Sequence, residues 1–123
     1  MSLIISDWKN VNVRIPAETV TTVYSATLSS PSGCWWFIDT SVQMSNSSSS
    51  TYPSWYILEI HMRESPEAAY SATQIFPNRS LASRVSLTTL AYFNANQIID
   101  IRIRSECVRT CEYTLFRATR MFI

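Results

Sequence analysis

One glycine in 123 residues is the first oddity of this sequence. Chains that turn often usually place glycine at the turns, so with Gly33 alone the remaining turns fall to Asn, Ser and Pro. Histidine and lysine are as scarce. His61 is single, so any Ser-His-Asp or Cys-His mechanism has to pass through it. The three cysteines, Cys34, Cys107 and Cys111, are an odd number, which leaves at least one thiol free or paired between chains. Cys107 and Cys111 flank Val108, Arg109 and Thr110 and are spaced to meet across a hairpin under oxidising conditions; in a reducing cytosol they stay thiols. With one histidine and no second cysteine pair they do not complete a zinc set. No run of about 18 apolar residues exists to cross a bilayer, so membrane insertion is not expected. The opening MSLIISDWKN lacks the basic start, long apolar run and small-residue cleavage site of a signal peptide, which makes a cytoplasmically made, soluble protein the default expectation. No Gly-rich phosphate loop, metal triad or nucleophile elbow is present, and no cofactor is expected.

Charge of one sign is also missing. Nine acids nearly balance ten bases for a net charge of +1, and nucleic-acid binding by counterion release needs a basic surface. The bases are biased, however: all are arginine except Lys9. Arginine favours planar, bidentate pairing with carboxylates, and an ion-paired interface and a plain compositional bias explain it equally well.

What the sequence has is alternation. At this length one domain over residues 1–123 is expected, built on a single two-layer core. Ile99, Ile101 and Ile103 alternate with Asp100, Arg102 and Arg104, the period-2 signature of a strand with one apolar and one polar face. The segment from Tyr92 to Phe122 reads as two such strands joined by a short loop carrying two cysteines. Further strands are expected at Val11–Ile15, Thr19–Leu28, Cys34–Met44, the TYPSWYILEIHMR segment, Ala72–Phe76, Arg84–Phe93 and Thr114–Phe122, with a turn at Ser29–Gly33 and a flexible serine tract at 45–51. In CWWFIDTSVQM, Trp36, Ile38, Thr40, Val42 and Met44 share one face, and Trp35, Phe37 and Asp39 the other. Both faces begin apolar, which places this strand between the core and a second buried surface. The fold class is all-β, an antiparallel sandwich.

Three stretches carry a family likeness. SGCWWFIDTSVQMS, AYFNANQIIDIRI and YTLFRATRMFI resemble, in order, strands of the tumour necrosis factor and complement globular-head jelly roll, above all its short phage and bacterial members. Asn96 and Gln97 stand where the family usually has Gly-Asp, so Asn must make that turn, tolerating positive φ better than most residues. Ala118 stands where Gly is common, and no collagen-like stalk precedes the head. The resemblance implies a TNF-like two-sheet jelly roll assembled as a trimer. It further implies that one sheet, holding the Trp35, Gln97 and Thr114 strands, turns its outer face to neighbours. Trp35, Phe37, Asp39, Ile98, Asp100, Arg102, Leu115 and Arg117 are the expected trimer-interface residues; Asp39, Asp100, Arg102 and Arg117 are placed to pair across subunits.

Catalytic signals are weak. His61 beside Glu59 reads more simply as a solvent-facing or interface residue than as a catalyst. Asp39 with Asp100, or Glu59 with Glu64, are the candidate acid-base pairs, but nine acids on a sandwich produce such pairs by chance. Tyr52, Trp55 and Tyr70 form the candidate ligand-binding surface; Tyr56 belongs to the core alternation. Asn46 and Asn78 open N-x-Ser sequons that a Ser-rich chain yields by accident. The expected function is a non-enzymatic homotrimer that decorates a larger assembly, foremost a phage or virus particle: a decoration, head-fibre or spike protein whose partners are itself and a capsid or other structural protein, located at the virion surface. The alternative is a soluble TNF-like head, extracellular or at a cell surface, that binds a host glycan or receptor. A small hydrolase using His61 comes third.

Overall fold

The computed structural model describes residues 4–45, 54–64, 70–76 and 82–121. Of the serine tract expected at 45–51, Ser45 ends β3 and residues 46–51 lie outside what is described, as do both sequon asparagines, Tyr52 and the Tyr70 side chain. Eight strands follow one another: β1 (Ile4–Ile15), β2 (Thr21–Leu28), β3 (Cys34–Ser45), β4 (Ser54–Met62), β5 (Tyr70–Phe76), β6 (Ala82–Phe93), β7 (Gln97–Ser105) and β8 (Arg109–Met121). They form two four-stranded antiparallel sheets, ordered β1-β8-β3-β6 and β2-β7-β4-β5. This is a jelly roll, in which the chain passes back and forth between two packed sheets.

The alternation explains why each strand sits where it does. From β3, Trp36, Ile38, Val42 and Met44 point inward and are fully buried. Facing them from the other sheet are Leu58 and Ile60 of β4 and Ile99, Ile101 and Ile103 of β7, equally buried. Each such side chain contributes roughly 1.5–3 kcal/mol by leaving water, offset by the entropy of ordering the chain. Where the register breaks, the backbone shows it. β1 bulges between Asn10 and Val13, and Asn12 there takes φ 45°. Asn accepts this conformation at lower cost than most residues, and Ile5 before the bulge and Val13 and Ile15 after it all keep to the core side.

The turn at Asn94–Asn96 is made as the sequence suggests: Asn96 adopts φ 54°, and the Gln97 amide donates to the Asn94 carbonyl at 3.2 Å. The Asn96 side-chain oxygen also accepts from the Ser30 amide at 3.2 Å, tying this turn to the β2–β3 loop.

One expectation is corrected. β7 does not lie in the sheet of β3 and β8; it belongs to the opposite sheet, between β2 and β4. The short links before and after β7 look like hairpin turns in sequence, but both carry the chain from one sheet to the other. The loop bearing Cys107 therefore joins strands that do not pair, and all three cysteines are free thiols.

Candidate functional site

The outer face of the β1-β8-β3-β6 sheet is divided into an apolar and a polar half by the register of β3 against its neighbours. Trp35 stands between Tyr92 and Met121, and Phe37 between Leu90 and Thr119. Next along the strand, Asp39 stands between Thr88 and Arg117, and Ser41 between Ser86 and Leu115. Because side chains alternate across a strand, all of these face away from the core. Trp35 is 42% exposed, Phe37 41%, Leu90 51%, Tyr92 55% and Met121 37%, so five large apolar side chains adjoin one another in solvent. Single exposed hydrophobics are ordinary, whereas a contiguous cluster marks a contact surface.

Leu90, Tyr92 and Met121 were not among the expected contact residues. Their signal was present: in β6, Leu90 and Tyr92 alternate with the buried Ala91 and Phe93, so this strand too is apolar on both faces. The cluster has internal order, since Trp35 and Tyr92 meet edge to face at 6.0 Å with planes at 77°. The lone glycine finds its reason here. The Tyr92 ring lies on Gly33, and a Cβ at that position would fall 2.6 Å from the ring's Cζ. The backbone there is not left-handed, so what glycine permits is the close seating of this exposed ring, which a larger residue would push aside.

The polar half holds a cavity of about 320 Å³ lined in part by Ser6, Asp39, Ser41, Leu115 and Arg117. Thr88 donates its hydroxyl to Asp39 at 3.2 Å. Tyr24 donates to Asp7 at 3.0 Å, and burial together with this carboxylate pushes the phenol up to about 12.

Of the eight expected interface residues, Trp35, Phe37, Asp39, Leu115 and Arg117 share this face. Ile98, Asp100 and Arg102 do not. They ride on β7 and face the other side of the sandwich, where Asp100 and Arg102 already have partners. Arg63 donates to both Asp100 oxygens, at 2.7 and 3.3 Å, Ser25 donates at 2.6 Å, and His61 Nδ1 lies 3.7 Å away. Arg102 pairs with Glu59 at 3.2 Å. The candidate acid-base pairs are thereby dissolved: Asp39 and Asp100 face opposite sides of the molecule, and Glu59 is engaged by Arg102. His61 is not solvent-facing; set cross-strand from Asp100, it is only 9% exposed. The Ser25 hydroxyl is directed to Asp100. Cys111 is buried, and desolvation pushes its thiol up to about 11, which makes it a poor nucleophile. No cluster of metal-ligating side chains exists among the described residues. Of the expected ligand-binding aromatics, Trp55 has the Arg104 guanidinium over its ring at 5.2 Å.

The Asp100 cluster makes stability depend on pH. Hydrogen bonds from Arg63, then Ser25, hold the carboxyl below its ordinary range against the opposing effect of burial. A depressed folded-state value means stabilisation that is present above the unfolded carboxylate value, about 3.9, and is lost as pH falls through the folded one. The melting midpoint of wild type is expected to fall more steeply below about pH 4 than that of Asp100→Asn. Parallel curves would show that Asp100 carries no such linkage.

The two packed antiparallel sheets define a fold: the chain has the tumour necrosis factor-like jelly-roll fold. Among solved structures it is similar to PRD1 vertex protein P5, with TM-score 0.62, 12% identity, and 98% of this chain and 96% of that one covered. It is likewise similar to the Eiger tumour necrosis factor of S. frugiperda, with TM-score 0.60, 9% identity, and 97% and 93% covered. A third likeness is to the Bacillus endospore appendages that form disulfide-linked pili, with TM-score 0.53, 14% identity, and 99% and 92% covered. At such identities the likeness is one of fold. No protein-family model matches the chain, and no curated protein matches it by sequence.

Proposed function

We propose that this protein is a non-enzymatic structural module that assembles as a homotrimer and decorates a larger particle, foremost a phage or virus capsid. The exposed cluster of Trp35, Phe37, Leu90, Tyr92 and Met121 carries this reading. Burying one such side chain contributes roughly 1.5–3 kcal/mol. The five are 37–55% exposed, so about half of that remains for each to gain, and summed around a ring the gain is of the same order as the roughly 4–15 kcal/mol lost per association in subunit freedom. The trimeric state is what the family resemblance implies, and a sheet face with one half apolar and exposed suits packing around an axis. A vertex protein and a pilus-forming appendage among the similar folds support a part in an assembly. The glycan-binding alternative draws less support, because Arg104 already occupies one face of Trp55.

Sedimentation or light scattering at micromolar concentration is expected to give three times the 14.1 kDa subunit mass. A monomer would sink the assembly half of the reading. Capsid or tail chains are expected to co-purify with the protein from its source. Their absence, together with saturable binding on a glycan array, would turn the reading to the soluble head.

A further inference from the structure

We infer that Asp39 and Arg117 close a ring of ion pairs between copies of this chain, with Arg117 of each subunit on Asp39 of the next. The inference rests on the self-assembling reading of this sheet face and adds what fixes its register.

The two residues are directly opposite each other on β3 and β8, the two central strands of the sheet. Both are exposed. They do not pair within the subunit, and among the described residues Arg117 has no ion pair. Room for an incoming side chain exists, since the cavity of about 320 Å³ is lined by both. Asp7, the other acid at that cavity, already accepts from Tyr24. On the opposite side of the sandwich, by contrast, Asp100 and Arg102 have partners in their own subunit. Asp39 is thus an open acid on the face that carries the exposed apolar cluster, and Arg117 is the open base in register with it on the two central strands; Arg14 and Arg84, also exposed on that face without an ion pair among the described residues, stand on its edge strands.

Closing that face against another copy takes both charges out of water. A desolvated charge without a partner is far more costly than a desolvated pair with good geometry. Around a cyclic axis, contacts are heterologous: the acid of one subunit faces the base of its neighbour, and the pattern repeats until the ring closes. Arginine's planar fork suits the carboxylate bidentately. Apolar packing supplies the attraction, and the charges forbid a slipped or reversed alignment, which would bring like charges together.

The test uses the full chain with charge reversals at each position. Wild type is expected to be an oligomer; a wild-type monomer would bring down the parent reading and this inference together. Asp39→Arg and Arg117→Asp are each expected to weaken assembly on the order of a hundredfold while the subunits stay folded by circular dichroism. Mixing the two variants is expected to restore hetero-oligomers by sedimentation, because the arginine introduced at position 39 of one chain then meets the aspartate introduced at position 117 of the other. A ring of three keeps one unmatched junction, so this rescue is expected to be partial. A pair confined to one subunit gains nothing from mixing. Should either variant fail to fold, the neutral Asp39→Asn and Arg117→Gln take its place, each expected to weaken assembly without repulsion. Unchanged oligomerisation of the variants, or weakened variants that mixing does not rescue, would overturn the ring of ion pairs and leave the apolar assembly standing.

Discussion

Ile101→Asp is expected to leave no folded protein at room temperature. Ile101 is fully buried at the centre of β7, paired with Tyr24 on one side and Ile60 on the other. The change forfeits roughly 1.5–3 kcal/mol of burial and adds several kcal/mol for a carboxylate without a partner. Domains of this size have only about 5–15 kcal/mol of stability in total, so the loss consumes most of it. Arg102→Ala, one residue along, is the control. Its side chain lies on the outer face with Glu59, and losing a partly solvated pair costs about 1 kcal/mol. Circular dichroism of the two variants is expected to show an unfolded chain and a cooperative melt respectively. Equal damage in both would mean that the faces of β7 are wrongly assigned.

Trp35→Asp with Phe37→Asp is expected to give a folded monomer. Both side chains lie on the outer face, about two-fifths exposed, so replacing them leaves the core between the sheets intact. The assembly loses the centre of its apolar contact and acquires two new acids per subunit in what would be a closed interface. Sedimentation is expected to show the subunit mass at concentrations where wild type is oligomeric, with the melting midpoint of the isolated subunit within a few degrees of its original value. An oligomer of undiminished strength would move the contact away from this sheet.

Much of this was legible because strand structure writes itself in alternation. The strands expected near Val11, Ala72 and Arg84 all exist; the last two begin two residues earlier than expected, and the first begins seven earlier, at Ile4. The two faces of β3 were separable residue by residue, since a period of two leaves no intermediate positions. Sheet membership was not legible. Alternation tells which way Asp100 and Arg102 point relative to Ile101, but both sheets have an outer face, and nothing local says which one β7 joins. The turn residues around Asn96 and the short link at Glu106–Val108 suggested hairpins, whereas in this topology equally short links cross the sandwich. The solvent-facing reading of His61 fails for the same reason. Its concealment depends on Asp100 of β7 lying beside it, a contact between positions 39 residues apart. The outer-face role of Leu90 and Tyr92 is legible in the sequence, since they alternate with Ala91 and Phe93 as Trp35 and Phe37 do with Trp36 and Ile38.

The strand order has a kinetic corollary. Of all the strand pairs, only β4 with β5 joins segments adjacent in sequence; β1 waits for β8, β2 for β7 and β3 for both β6 and β8. Nearly every ladder must therefore close a long loop before any pairing rewards it, and chains of this kind cross a high entropic barrier on the way to the native state. No fragment lacking its last strand can complete the first sheet, because β8 lies between β1 and β3. Refolding should accordingly be slow, on the scale of milliseconds to seconds, and all but one of the ladders form only once the distant halves of the chain have met.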